Sequence, residues 1–83
     1  MKIQVRYFAS LRETIGVGAE TVQTNAPDVA ALRQELIARG GVHAQCLALD
    51  MPVRVALNQV MASGATPLTA DCELAFFPPV TGG

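Results

Sequence analysis

Polar and apolar positions alternate at the start of the chain. Ile3, Val5 and Tyr7 fall on one side and Gln4, Arg6 and Phe8 on the other, the period-two pattern of a half-buried strand from Lys2 to Phe8. Ser10-Leu11-Arg12-Glu13 has the spacing of a capping box and predicts a short helical turn. Gly16-Val17-Gly18 then bends the chain into a second strand over about residues 20–24. Asn25-Ala26-Pro27-Asp28 punctuates the pattern, with Asp28 placed to accept from the free N–H groups of a following helix. Val29, Leu32 and Leu36 give that helix one apolar stripe, and Gly40-Gly41 supplies a left-handed stop. The stretch from His43 to Leu49 fits a short helix less clearly. Val53, Val55 and Leu57 alternate against Arg54, Ala56 and Asn58, which predicts a third strand that bends at Asn58-Gln59 towards Val60 and Met61. A last strand runs from about Cys72 to Phe77 and is ended by Pro78-Pro79, which donate no ladder hydrogen bonds.

Strand, strand, helix, strand, strand in 83 residues predicts an α+β domain, a small mixed sheet with one main helix over one face, for which the β-grasp arrangement is the candidate. The expected organisation is one body over residues 1–79 and a flexible tail over 80–83.

Composition narrows the function. Charged residues make up only 16% of the chain, against about 25% in typical soluble domains, so apolar surface is either reserved for a partner protein or diluted by the many alanines. The basic residues Lys2, Arg6, Arg12, Arg33, Arg39 and Arg54 are scattered, which argues against nucleic acid as a ligand. No apolar run is long enough to span a bilayer, and the expectation is a cytoplasmic protein without a membrane partner. Cys46 and Cys72 form no CxxC pair and read as reduced, buried thiols. His43 stands alone, and no His, Cys and carboxylate cluster has metal-ligand spacing, so neither a catalytic constellation nor a metal site is expected.

The distinctive segment is the end, Phe76-Phe77-Pro78-Pro79-Val80-Thr81-Gly82-Gly83. Pro78-Pro79 favours a stiff stem, and Val80 to Gly83 then reaches roughly 14 Å. Glycines without side chains let such a tail enter a narrow channel in another protein. An α-carboxyl with an ordinary pKa of about 3.5 is an anion at neutral pH and a poor electrophile, so the Gly83 carboxyl needs external activation before it carries anything. A frayed terminus is the plain alternative.

This ending resembles that of the small subunit family of molybdopterin synthase. Further matches to the family pattern are Phe8-Ala9 followed by Arg12-Glu13, Leu32-Arg33, Leu57-Asn58-Gln59 and Pro67-Leu68, which together span nearly the whole chain. Two departures are Ala70-Asp71-Cys72-Glu73, where the family carries an acidic, glycine-containing turn, and Leu57 in place of valine. The resemblance implies a ubiquitin-like β-grasp domain whose Gly83 carboxyl, preceded by Gly82, is adenylated by an ATP-using enzyme of the ubiquitin-activating type and converted to a thiocarboxylate with sulfur from a donor protein. It further implies that the tail enters the large synthase subunit, in an assembly of two small and two large subunits. There sulfur passes to a cyclic pyranopterin monophosphate, with catalytic side chains on the partner and no cofactor held permanently by this chain.

Periodicity adds a docking surface. Phe77 falls beside Glu73 and Ala75, opposite Cys72, Leu74 and Phe76, just as Phe8 falls with Gln4 and Arg6. Two rings left in water are a poor use of roughly 1.5 to 3 kcal/mol of burial each, so Phe8, Met61 and Phe77, rimmed by Arg12 and continuing into Pro78, Pro79, Val80 and Thr81, are read as a partner-binding patch. The alternative packs both rings under loops of the same chain. Rival functions are a sulfur carrier of thiamine type, a ubiquitin-like protein modifier, and an interaction domain whose Gly-Gly end is incidental.

Overall fold

The computed structural model describes residues 1–79. Eight elements follow in chain order: β1 (Lys2–Tyr7), α1 (Ala9–Ile15), β2 (Ala19–Gln23), α2 (Val29–Ile37), α3 (Gly41–Leu47), β3 (Arg54–Leu57), β4 (Val60–Ala62) and β5 (Glu73–Phe77). The strands form one mixed sheet in the order β2-β1-β5-β3-β4. β1 pairs antiparallel with β2 and parallel with β5, and β3 lies antiparallel between β5 and β4. This is the β-grasp arrangement, and it confirms the α+β reading.

The alternation in β1 becomes burial: Ile3, Val5 and Tyr7 are buried and Lys2, Gln4 and Arg6 are exposed. β5 brings Leu74 and Phe76 to the same inner face, where the Phe76 ring stacks on Tyr7 at 6.1 Å between centroids. Val29, Leu32 and Leu36 from α2, Leu11 from α1, and Cys46 with Leu47 from α3 close the core over that face. Each fully buried aliphatic or aromatic side chain contributes roughly 1.5 to 3 kcal/mol, so the inner face supplies most of the driving force for folding. The expected buried thiols at Cys46 and Cys72 are found there.

Asp28 caps α2 as its position predicts, its Oδ1 accepting from the Ala31 N–H at 2.8 Å. Other details differ from the sequence reading. Ser10 caps nothing: Phe8 is the N-cap residue of α1, no side chain bonds the free N–H groups, and Ser10 lies inside the helix. The reason is β1 itself, which ends at Tyr7 where the Phe8 N–H bonds the Phe76 carbonyl, so the chain turns two residues earlier than a Ser10 cap requires. Ala9 makes that turn at φ 53°, a left-handed value that costs a non-glycine residue about 1 kcal/mol or more. Gly16, at φ 95°, ends α1.

Gly40 and Gly41 both have positive φ, but α2 has already ended at Ile37, and Gly40 serves as the N-cap of α3. The main helix is thus joined by two seven-residue helices, α1 and α3. The bend at Asn58-Gln59 is a hairpin turn with both residues at positive φ, 50° and 69°, joining β3 to β4. At the departure from the family pattern, Asp71 takes φ 63° in place of a glycine, and its N–H bonds the Lys2 carbonyl at 2.8 Å. The turn is therefore kept without the glycine.

Candidate functional site

The site is built around the C-terminal end of β5. This strand is paired on both sides, with Tyr7 opposite Phe76 in β1 and Arg54 opposite Phe77 in β3. Phe77, Pro78 and Pro79 are half-buried, so the stem leaves the sheet against the body of the domain. Val80, Thr81, Gly82 and Gly83 lie outside the described residues.

The register brings the three apolar residues singled out in the sequence to one face. The outer row Arg6–Ala75–Ala56–Met61 crosses β1, β5, β3 and β4. One step further towards the stem, Phe8 follows β1 beside Phe77, and Phe77 sits opposite Arg54. Ala56 and Ala75 leave a shallow floor between the larger side chains because neither projects beyond its Cβ. Phe8 is 40% exposed and Met61 58%, while Phe77 is half-buried. Phe8 is therefore not packed under a loop of its own chain. Its ring lies under the Arg6 guanidinium, 5.2 Å from the centroid, and Arg6 also pairs with Glu73 at 3.3 Å. That ion pair is exposed and contributes little stability; its effect is to hold a cation at the patch margin.

Arg12 is the residue expected at the rim of the patch. It sits on α1 with its guanidinium folded over Gly18, where a Cβ would come within 3.1 Å of Nε. It is exposed, but its observed packing is on the turn before β2.

Two further features escaped the sequence reading. A cleft of about 280 Å³ opens between the start of α2 and the β3–β4 hairpin, lined by Leu49, Val53, Arg54 and Met61 among others. At its wall Arg33 donates to the carbonyls of Leu47 and Ala48, both at 2.7 Å, and of Met51 at 3.3 Å. Burial lowers the Arg33 pKa, and those carbonyls hold the link from α3 to β3. The signal available in the sequence was the pair Leu49 and Met51 flanking Asp50, too short a stretch for any period.

The second feature is a polar cluster at the β2 edge of the inner face. Tyr7 Oη donates to Glu20 Oε2 at 2.9 Å, Arg39 Nη1 donates to Oε1 at 2.7 Å, and His43 Nε2 lies 3.4 Å from Oε2. Burial, and then the bond to Glu20, push the Tyr7 phenol well above its ordinary pKa of 10.0. For Glu20 burial acts upward, but the hydrogen bonds from Arg39, Tyr7 and His43 outweigh it and hold the carboxyl below its ordinary 4.5. His43, alone in sequence, is thus a structural partner of Glu20. Among the described residues no three His, Cys, Asp or Glu side chains gather as metal ligands, and no helix is long and apolar enough to cross a membrane.

Comparison with known proteins gives the same outline. The ThiS family matches residues 5–83. The molybdopterin synthase sulfur carrier subunit of Escherichia coli (strain K12) is 44% identical over 81 residues, covering 98% of this chain and 99% of that one. Among solved structures, a complex of subunits 1 and 2 of the molybdopterin-converting factor from Helicobacter pylori contains a chain 26% identical, matched over 100% of both chains with a TM-score of 0.70. The SAMP1 protein of Haloferax volcanii, 24% identical, matches over 100% of both chains with a TM-score of 0.80 and supports the fold.

Proposed function

The chain belongs to the ThiS family, and on that premise we propose that it is the sulfur-carrier small subunit of a molybdopterin synthase. The observation that carries the reading is the position of the stem. A strand locked between two neighbours delivers Phe77-Pro78-Pro79 to the sheet margin, beside the exposed face of Phe8 and Met61. One docking event on that face therefore fixes where Pro79 leaves the body of the domain.

In the proposed cycle an activating enzyme uses ATP to join the Gly83 carboxylate to AMP, releasing pyrophosphate. The persulfide of a donor protein attacks the acyl carbon and AMP leaves; a thiol then cleaves the S–S bond of the resulting acyl disulfide, forming a disulfide with the donor and leaving a thiocarboxylate on Gly83. The tail then enters the large subunit, where the sulfur is transferred to a cyclic pyranopterin monophosphate and a Gly83 carboxylate is regenerated with an oxygen from water. Gly82 and Gly83 keep the tail thin, Pro78 to Thr81 bridge to the body, and Phe8, Met61 and Phe77 dock. Catalytic side chains belong to the partner, and this chain is not an enzyme alone. The setting is the cytoplasm, where ATP and thiols are both available.

The test is intact mass after incubation with a candidate activating enzyme, ATP and a sulfur donor. Replacement of one oxygen by sulfur at Gly83, followed by turnover with the large subunit, is the expected result. Thiocarboxylation without such turnover, in the presence of a competent large subunit, points instead to a thiamine-type carrier. Isopeptide conjugates to other proteins point to a modifier.

A further inference from the structure

The two edges of the sheet are not alike. β2, at one edge, carries Glu20 on its inward side, so a carboxylate with its Arg39 and His43 partners stands where an added strand would lay an apolar side chain. β4, at the other edge, is Val60-Met61-Ala62, with neither charge nor proline to discourage pairing.

The register shows which groups that edge offers. Leu57 and Val60 flank the two-residue turn and exchange ladder bonds, as do Val55 and Ala62, so Met61 between them turns its N–H and C=O away from β3. Outside the ladder neither group has a hydrogen-bond partner among the described residues. Val60 and Ala62 share the inward side with their partners Leu57 and Val55, yet Val60 is 68% exposed.

Beside this edge lies the cleft of about 280 Å³ at the start of α2, with Val29, Val53 and Val55 in its walls. The walls are pinned from both ends. Arg33 holds the carbonyls of Leu47 and Ala48, while the Ala30 and Val29 N–H groups bond the carbonyls of Gly64 at 2.9 Å and Thr66 at 3.1 Å. The cleft is therefore preformed, and filling it costs little reorganisation. Sites that enclose a drug-sized molecule start at about 300 Å³, so this one suits a single bulky side chain better than a cofactor.

Charge selects the occupant. Two guanidiniums, Arg33 and Arg54, line the cleft, and among the described residues no carboxylate does. Arg33 spends Nε and Nη2 on three carbonyls, which leaves Nη1 without a partner among the described residues, and Arg54 is exposed. A second copy of the chain would bring another Val60-Met61-Ala62 edge, with no carboxylate and a second Arg54.

We propose that the β4 edge and its cleft bind, by strand addition, an extended segment of a partner protein that carries a bulky apolar residue between acidic ones. The Met61 N–H and C=O take the main chain of the segment, the cleft takes the apolar side chain, and the flanking carboxylates face Arg33 and Arg54. Because β4 has three residues, the ladder is short and specificity rests on the cleft and the two cations. Met61 serves this site through its backbone, while its side chain belongs to the outer row. The site needs no tail and stands independently of the carrier reading.

The test is a titration of the isotope-labelled full chain with the peptide acetyl-Glu-Asp-Phe-Glu-Val-Asp-amide, followed by amide chemical shifts and hydrogen exchange. Saturable shifts are expected at residues 53–55, at residues 60–64 and at the start of α2. The Met61 N–H gains an acceptor and is expected to exchange at least about tenfold more slowly with peptide bound. A peptide with lysine at every acidic position, and one with alanine for phenylalanine, are each expected to bind at least about tenfold more weakly. Arg54→Glu is expected to weaken the acidic peptide by a similar factor, as is Met61→Pro, which removes the donor at a position that an edge strand tolerates. Absence of saturation at about 5 mM peptide overturns the inference, as do shifts confined to the outer row of Ala56 and Ala75 or equal binding of the lysine peptide. Concentration-dependent shifts at Met61 without peptide overturn it too and assign the edge to a second copy. If Met61→Pro unfolds, seen as collapse of amide dispersion, the Arg54→Glu comparison decides, since Arg54 is exposed and its reversal leaves the core untouched. None of these outcomes involves Gly83, so failure here leaves the carrier reading intact.

Discussion

Tyr7 Oη donates to Glu20 Oε2 at 2.9 Å, tying the first strand to the edge strand β2 across the rim of the core. Glu20 occupies an inward position of β2, shared with Val22, where a carboxylate would be unfavourable without partners. Arg39 and His43 complete the set from beyond the end of α2 and from α3, so one carboxylate links four parts of the chain.

That linkage gives a pH dependence. The folded-state pKa of Glu20 lies below its ordinary 4.5, so its stabilising contribution is present above that value and is lost as pH falls through the folded pKa. Urea midpoints measured from pH 7 down to pH 3 are expected to fall less steeply for Glu20→Gln than for the wild type in the acid range. Equal slopes would show that the cluster contributes nothing through charge.

Ala9 holds φ 53° at the turn from β1 into α1. Ala9→Gly removes a left-handed penalty of about 1 to 2 kcal/mol and adds about 0.5 to 1 kcal/mol of unfolded-state entropy. The net expectation is a gain of about 0.5 kcal/mol in denaturant unfolding. A loss of stability would mean that the Ala9 methyl makes packing contacts worth more than the strain.

The Asp28 carboxylate accepts from the Ala31 N–H at the start of α2. Asp28→Ala is expected to cost about 1 kcal/mol, and Asp28→Asn much less, because the amide oxygen preserves the acceptor. Thermal or urea unfolding separates the two, and equal losses would assign the effect to charge instead of capping.

Two phenylalanines should behave oppositely. Phe76 is fully buried, and Phe76→Ala is expected to cost about 3 to 5 kcal/mol, enough to unfold a domain of this size. Phe8 is 40% exposed, so Phe8→Ala is expected to change stability by under about 1 kcal/mol while weakening binding to a large subunit by about tenfold or more. Calorimetric titration checks the second value, and unchanged affinity would remove Phe8 from the docking face.

The local readings succeeded where the physics is local. Period-two burial in β1, the apolar stripe of α2 and the Asp28 cap each depend on residues a few positions apart, and each is present. The capping box at Ser10 failed because the deciding contact was not local: the Phe8 N–H bonds Phe76, far along the chain, and fixes where β1 ends. The Glu20 cluster failed for the same reason, since nothing near Glu20 or His43 in sequence announces the other.

By itself, then, the sequence determined the face on which each strand side chain falls, the place of the main helix, and the end of the last strand before two prolines. Tertiary structure decided which strands are neighbours. The order β2-β1-β5-β3-β4 sets Phe77 beside Phe8 and Arg54, leaves Lys2 at the opposite end of the sheet, and carries the apolar row across to Met61. Alternation specifies inward and outward for each strand but is identical for every permutation of strands, so only the packing of all of them against one core selects the arrangement.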